Sequence, residues 1–436
     1  KEIELFEREY PYIKIKRTKN VSHRYQSLVE LAVRSSTLPD VLAVPKLKFT
    51  DWAKNGFFYP LNEWADEAFI KRFPPGSFVE TRNMLNGKIY SFPWEGPTYY
   101  NQFYLNASVF KKAGLVDKDG NPTYPKTWKE ARQYAKIITK KGKGQYYGWG
   151  MAVKPEHMSA CFYYEWARQA GARGGEQSNP LDVDLKIGRY NFTDEGFIKM
   201  FKFILGLKKD GSIYPGFLSM DDETLRAHFA DGKIAMIMGG VWNQQGWETT
   251  HPDFTDYDCS MPPPYDETGY KAFADFYVAS PTYAIASSTK YPQEAWKFLE
   301  WFARVETGIR YVEAGIGVSI FAEANARARV RTKQMKQYIM IGTKYAKVHP
   351  DPFARNPELA NVDWKEPVPN SINFFFGVLS GQIKEKDLRR ELKKMEDRYN
   401  QALEKAFAEA IAKGYKVSLD DLKFPDWNPL EHYQMK

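Results

Sequence analysis

Cysteine is almost missing from this 436-residue chain, which carries only Cys161 and Cys259, and its six histidines include no HxxxH or HExxH pair. Without CxxC or clustered His ligands there is no basis for a transition-metal centre. The two thiols could join only if the fold brought them within disulfide geometry, so two separately buried thiols are the expectation. Phosphate-cradling GxxxxGK[ST] and GxGxxG patterns are absent, as is the GxSxG nucleophile elbow, and Gly171 to Gly175 (GARGG) reads as a loop. No cofactor is therefore expected. No apolar run approaches the roughly 18–20 residues that span a bilayer. Lysine and arginine (62) exceed aspartate and glutamate (54) for a net charge of +8, but these charges are spread along the whole chain, which argues against nucleic-acid binding.

What the chain has in abundance is aromatic rings: 29 Phe, 28 Tyr and 12 Trp, 16% of all residues. The length suits roughly two to three domains. Helix, strand and turn signals alternate through the first part: a charged amphipathic helix over 2–10, a strand over 13–17, a helix over 25–34, a short apolar strand over 41–44, and a helix over 61–69. Alternation of this kind predicts an α/β fold with a parallel sheet. Asn86-Gly87 turns the chain into a strand over 89–92, and 98–105 reads as another. Thr127 and Glu130 flank Trp128-Lys129 as a capping box for a helix ending at Gly142. Further helices are predicted over 161–170, 193–207, 222–230 and 295–305, strands over 233–238 and 283–286, and a long amphipathic helix over 388–412.

Few residues carry identifiable chemistry. Asp117-Lys118-Asp119-Gly120-Asn121 resembles a calcium loop only superficially, because glycine falls at the fourth position and Trp128 stands where a bidentate glutamate belongs, so a polar turn is expected and no metal ligand is assigned. Glu95, beside Trp94 in a Pro- and Gly-rich loop after a strand, is the one carboxylate in a setting that suits a ligand crevice. Aromatics next to loop glycines form the more informative set: Trp52, Trp94, Tyr99, Trp149, Trp242 and Tyr277. A pyranose ring stacks its C–H face on a flat aromatic while Asn, Asp, Glu or Lys bond its hydroxyls. Trp296 and Trp301, on a predicted amphipathic helix, are expected in the core instead.

The order of these segments resembles the carbohydrate-specific extracellular solute-binding proteins of ABC importers, the maltose-binding-protein-like family. The matching pieces are FEREYPYIKIK (6–16), LPDVLAVP (38–45), GFFYPLNEW (56–64), GKIYSFPW (87–94), FKKAGL (110–115), PKTWKEA (125–131), FADGKIAMIMGGVWN (229–243) and YPQEAWKFLEWF (291–302). The resemblance implies a type II periplasmic-binding-protein fold of two α/β lobes with a ligand cleft between them. Crossovers are implied near 99–105, 276–282 and 315–321, giving an N-terminal lobe of 1–105 plus 282–321 and a C-terminal lobe of 106–281 plus 322–436. Family members begin with a strand before the first helix, whereas Lys1 already sits in that helix, so the first lobe is expected to lack that strand partner within this sequence.

By the same resemblance, Trp94 with Glu95, and Trp242 with Asn243, face the ligand. Tyr99 and Tyr277 lie at crossovers that approach it, although YVASPTYAIA around Tyr277 departs from the family's glycine-rich pattern. Trp52, after the 41–44 strand, joins them as a loop aromatic. The implied function is non-enzymatic: a monomeric receptor, lipid-anchored on the extracellular face or free in the periplasm, that captures an oligosaccharide and delivers it to the transmembrane subunits of an ABC permease. The alternative is a secreted glycoside hydrolase or polysaccharide lyase, which would share the aromatic subsites but require a placed carboxylate pair or a base.

Overall fold

The computed structural model describes residues 2–18, 25–45, 48–97, 101–154, 159–174, 183–276 and 278–434. The chain divides into two compact units. The first comprises Lys1–Pro97, Tyr277–Val330 and Phe353–Ala360, and the second Thr98–Phe276, Arg331–Pro352 and Asn361–Lys436. The expected boundary at 105 would cut through the Asn101–Asn106 strand, which pairs on both sides inside the second unit's sheet.

In the first unit the Val41–Ala43 strand pairs antiparallel with Tyr283–Ile285, in register Val41↔Ile285, so residues some 240 positions apart share one ladder. The expected parallel pairing is thus replaced here by an antiparallel one. Residues 13–17 form no ladder among the described residues; Ile13 is buried, and the Ile15 N–H donates to Glu7 Oε1 at 2.8 Å. The predicted helix over 61–69 is reduced to the single turn Glu67–Ile70, capped by Asp66, whose carboxylate accepts from the Phe69 N–H. Helices Glu2–Glu9 and Pro292–Phe302 meet through Phe6, Phe298 and Trp301 in edge-to-face contacts at 5.1 and 5.7 Å. Proline at the start of Pro292–Phe302 suits the first helical turn, where no N–H partner is needed.

The second unit holds a four-stranded sheet in the order Tyr147–Trp149, Ile234–Gly240, Asn101–Asn106, Tyr257–Ser260. Its first pair is parallel and the other two are antiparallel. All residues of both central strands are buried, so they read as continuous runs without alternation, as expected where helices cover both faces. Helix Trp128–Gly142 is capped by Thr127, which accepts from the Glu130 N–H at 3.3 Å; Glu130 Oε2 accepts from the Lys126 N–H at 2.6 Å, one residue before the position a standard box would use. The helix ends through Lys143 at φ 46°, one residue later than expected.

Much of the aromatic excess is structural. Trp166 stacks on Phe203 at 5.0 Å and touches Trp128 and Trp149 at 5.4 Å each, while Trp247, Phe229, Phe254 and Tyr257 form a second ring cluster. Such pairs contribute beyond their buried area by about 0.5–1.5 kcal/mol each. Trp301 is buried as expected of a core tryptophan, whereas Trp296 is only half-buried and stacks on Trp64 at 5.6 Å. Cys259 is a free buried thiol that touches Gln334, Gln337 and Gln244, and burial pushes it well above the usual thiol range. The side chain of Cys161 lies outside the described residues.

Candidate functional site

On the first unit, the loop after the Lys88–Ile89 strand is held by a short antiparallel pairing with residues 318–320. The Ile320 N–H donates to Trp94 O and the Gly96 N–H to Val318 O, both at 2.8 Å. Gly96 is required here, because a Cβ at this position would lie 2.2 Å from Ser319 O. Ser91 Oγ donates to Tyr283 O at 2.7 Å, and Thr282 Oγ1 donates to Phe92 O at 2.6 Å, so the loop root is tied to the Tyr283–Ile285 strand.

These ties set Trp94 and Glu95. The Trp94 indole is half-buried, with Tyr283 and Phe302 at 4.7 Å each. Glu95 Oε1 accepts from Tyr311 Oη at 3.0 Å. Tyr311 is itself fixed by Gly317, where a Cβ would come within 2.5 Å of the phenol oxygen. Burial pushes the Tyr283 phenol up, Arg17 opposes, and the Glu95 carboxylate adds to the rise. Sequence reasoning missed Tyr283, Phe302 and Tyr311. The last lies 216 positions from Glu95, and the Gly315-Ile316-Gly317 turn was its one available signal.

On the second unit, the site forms where the Ile234–Gly240 strand ends and helix Trp242–Thr250 begins. Gly240 pairs with Asn101 at the start of the neighbouring strand, and Tyr104 Oη donates to Gly240 O at 3.0 Å, fixing the strand end. The Trp242 indole lies against Gly240 so closely that a Cβ there would be 2.1 Å from the ring, and 47% of Trp242 remains exposed. Gly239 plays the same part for Asn243, whose Nδ2 would be 2.2 Å from an added Cβ. Two consecutive glycines thus let an indole and an amide settle onto bare backbone. Beside them the Asn101 amide donates to Glu165 Oε1 on helix Ser159–Gln169, a pair for which the sequence offered no signal.

The remaining expected site residues divide cleanly. Trp52 is a correction: it is 1% exposed, packed among Val44, Phe49 and Phe58 on helix Phe49–Lys54, and offers no ring face to solvent. Trp149 is likewise fully buried, its Nε1–H donating to Tyr163 Oη at 2.9 Å. Asn243 is 3% exposed, so it supports the Trp242 turn from below. Tyr99 and Tyr277 lie outside the described residues. In the Asp117 loop, Asp117 Oδ1 accepts from the N–H groups of Asp119 and Asn121 at 2.9 Å, which makes it a closed Asx turn. Among the described residues no three His, Cys, Asp or Glu side chains gather as a metal site would need, and no helix is long and apolar enough to cross a membrane.

A family profile described as bacterial extracellular solute-binding protein matches residues 1–308. This chain belongs to that family. A binding protein of Brucella abortus (strain 2308) is 23% identical over 285 residues, 64% of this chain, and the chain spans about 62% of that relative's length. Among solved structures, the GacH receptor of Streptomyces glaucescens, studied unliganded and with acarbose, superposes with a TM-score of 0.69 at 16% identity, over 92% of this chain and 94% of that one. An ABC substrate-binding protein of Listeria monocytogenes in complex with cycloalternan gives 0.63 at 17% identity, over 92% and 95%. The fold of this solute-binding protein is therefore the two-lobed type II α/β architecture, and its solved neighbours are receptors and substrate-binding proteins rather than enzymes.

Proposed function

We propose that this solute-binding protein captures an oligosaccharide for an ABC importer, without altering it, and delivers it to the transmembrane permease subunits. The observation that carries the reading is the Trp242 indole, nearly half exposed yet seated rigidly on Gly240: a flat apolar surface that costs little entropy to present. Acarbose and cycloalternan in the fold neighbours support a carbohydrate ligand. On the other unit Trp94 and Glu95 supply a half-buried indole and a carboxylate that accepts from Tyr311, suited to a sugar C–H face and to a hydroxyl donor. Tyr99 and Tyr277 complete the proposed set. The receptor acts as a monomer, in the periplasm or lipid-anchored on the outer face of the membrane.

Thermal-shift titration of the purified protein against a panel of neutral oligosaccharides tests this reading. A ligand at a hundred times its Kd stabilises by about 2.7 kcal/mol, a shift of several degrees. Recovery of the sugar unchanged is the expected result. Release of reducing ends in proportion to protein, abolished by Glu95→Gln, would instead establish a glycoside hydrolase.

A further inference from the structure

A groove of about 610 Å³ opens on the second unit between helices Trp128–Gly142 and Glu195–Lys209, well away in sequence from the Gly239-Gly240 turn. Its volume lies within the range of small-ligand sites. One helix sends Lys129, Arg132 and Lys136 into it from successive turns, and the other sends Lys199 and Lys202, also one turn apart. Five cations therefore meet only two carboxylates, Asp210 and Asp266.

Those two carboxylates engage only part of the cationic lining. Asp210 is engaged by Arg132 in a bidentate pair at 2.7 and 3.2 Å, and Asp266 accepts from the Thr268 hydroxyl and from the Thr268 N–H at 2.9 Å. Lys136 stands 3.9 Å from Asp210 as its outer partner. Lys129 and Lys202 make no ion pair among the described residues; Lys199 rests over the Tyr265 ring at 4.4 Å, and the Glu195 carboxylate, paired mainly with Arg389, lies within electrostatic reach of Lys199 and Lys202. Glycine at 206 makes the arrangement possible, since a Cβ there would lie 2.6 Å from the Arg132 guanidinium. The wall is rigid: the Trp128 indole N–H donates to Pro263 O at 3.0 Å and its ring meets Tyr265 edge-to-face at 5.1 Å.

Rows of cations repeating along two helices fit a ligand that carries several negative charges along its length better than a single ion. The concave shape, and two carboxylates with lone pairs that can accept from hydroxyls, favour a hydroxylated polyanion over a lipid surface or a nucleic acid. We propose that this groove is a second carbohydrate site, which takes a carboxylated oligosaccharide of the uronic acid class, its carboxylates along the lysine rows and its hydroxyls toward Asp210 and Asp266. This site stands or falls independently of the Trp242 surface.

Calorimetric titration of the full chain with tri-galacturonate tests it. Expected is binding that weakens as salt rises, weakens about tenfold or more in Lys129→Ala/Lys202→Ala, and survives in Lys129→Arg/Lys202→Arg and in Trp242→Ala. Both lysines are exposed, and an unchanged melting temperature of the alanine variant establishes that the fold is intact. Absence of binding at low salt, binding indifferent to the lysine substitutions, or binding lost in Trp242→Ala overturns the proposal. So does tighter, lysine-dependent binding of polyphosphate or of phosphatidylglycerol vesicles.

Discussion

Trp52 and Trp242 occupy similar settings in the sequence, each a tryptophan near a turn that follows an apolar strand, and the fold treats them oppositely. Trp52 points inward from a short helix and is sealed by Phe57 and Phe58, whereas Trp242 starts a helix directly after a strand end and lies over backbone with nearly half its surface open. The difference lies in the residues that precede them. Gly239 and Gly240 leave the second unit's strand end without side chains, so an indole can lie on top of it, while Trp52 is buried in a core cluster with Leu42, Val44, Phe49 and Phe58. An aromatic beside a turn becomes available to ligand when the neighbouring backbone is bare.

The sharpest way to break this comparison is Trp52→Ala. Deleting a buried indole should cost about 3–5 kcal/mol of stability, lowering the melting temperature by several degrees while leaving the sugar affinity of the folded fraction unchanged. Trp52→Phe should cost less, since it also removes a buried indole N–H that has no partner among the described residues. Trp242→Ala should do the reverse: affinity falls by about 2 kcal/mol, roughly 30-fold, and the melting temperature of the free protein barely moves. A large loss of stability in Trp242→Ala would erase the distinction.

Gly240→Ala sharpens the point, because its Cβ must displace the indole 2.1 Å away; affinity should fall although no ligand-facing atom has been removed. Isothermal titration beside a Trp fluorescence spectrum would register both the loss and the moved ring. A smaller effect is expected for Tyr311→Phe, which removes the 3.0 Å hydrogen bond to Glu95 and should cost about 1 kcal/mol of affinity.

The smallest effect concerns pH. His228, on helix Asp222–Ala230 beneath the Trp242 helix, is held below the ordinary 6.5 mainly by burial, then by nearby Lys233, with Asp231 opposing. Its folded-state pKa is depressed, so the unfolded chain binds the proton more readily, and the associated stability is present above pH 6.5 and lost as pH falls through the folded value. Melting curves from pH 7.5 to 5 should show a decline that His228→Gln reduces. An unchanged decline in that variant would place the responsible group elsewhere.

The sequence by itself determined the elements whose signals are local. Helices Asp222–Ala230 and Leu388–Ala412 stand where their periodicity placed them, Thr127 caps the helix that its hydroxyl announced, and the run after Asp231-Gly232 is a strand. Caps, turns and apolar spacing act within a few residues, so they can be read without knowing what packs against them. The tertiary structure alone decided the rest. The antiparallel pairing of Val41–Ala43 with Tyr283–Ile285 and the partnership of Tyr311 with Glu95 join segments with no local signal for one another, and residues 13–17 form no ladder among the described residues. It also decided which tryptophans are core and which are surface: burial depends on what the rest of the chain brings over a ring, and that is a property of the packed whole rather than of any stretch of residues.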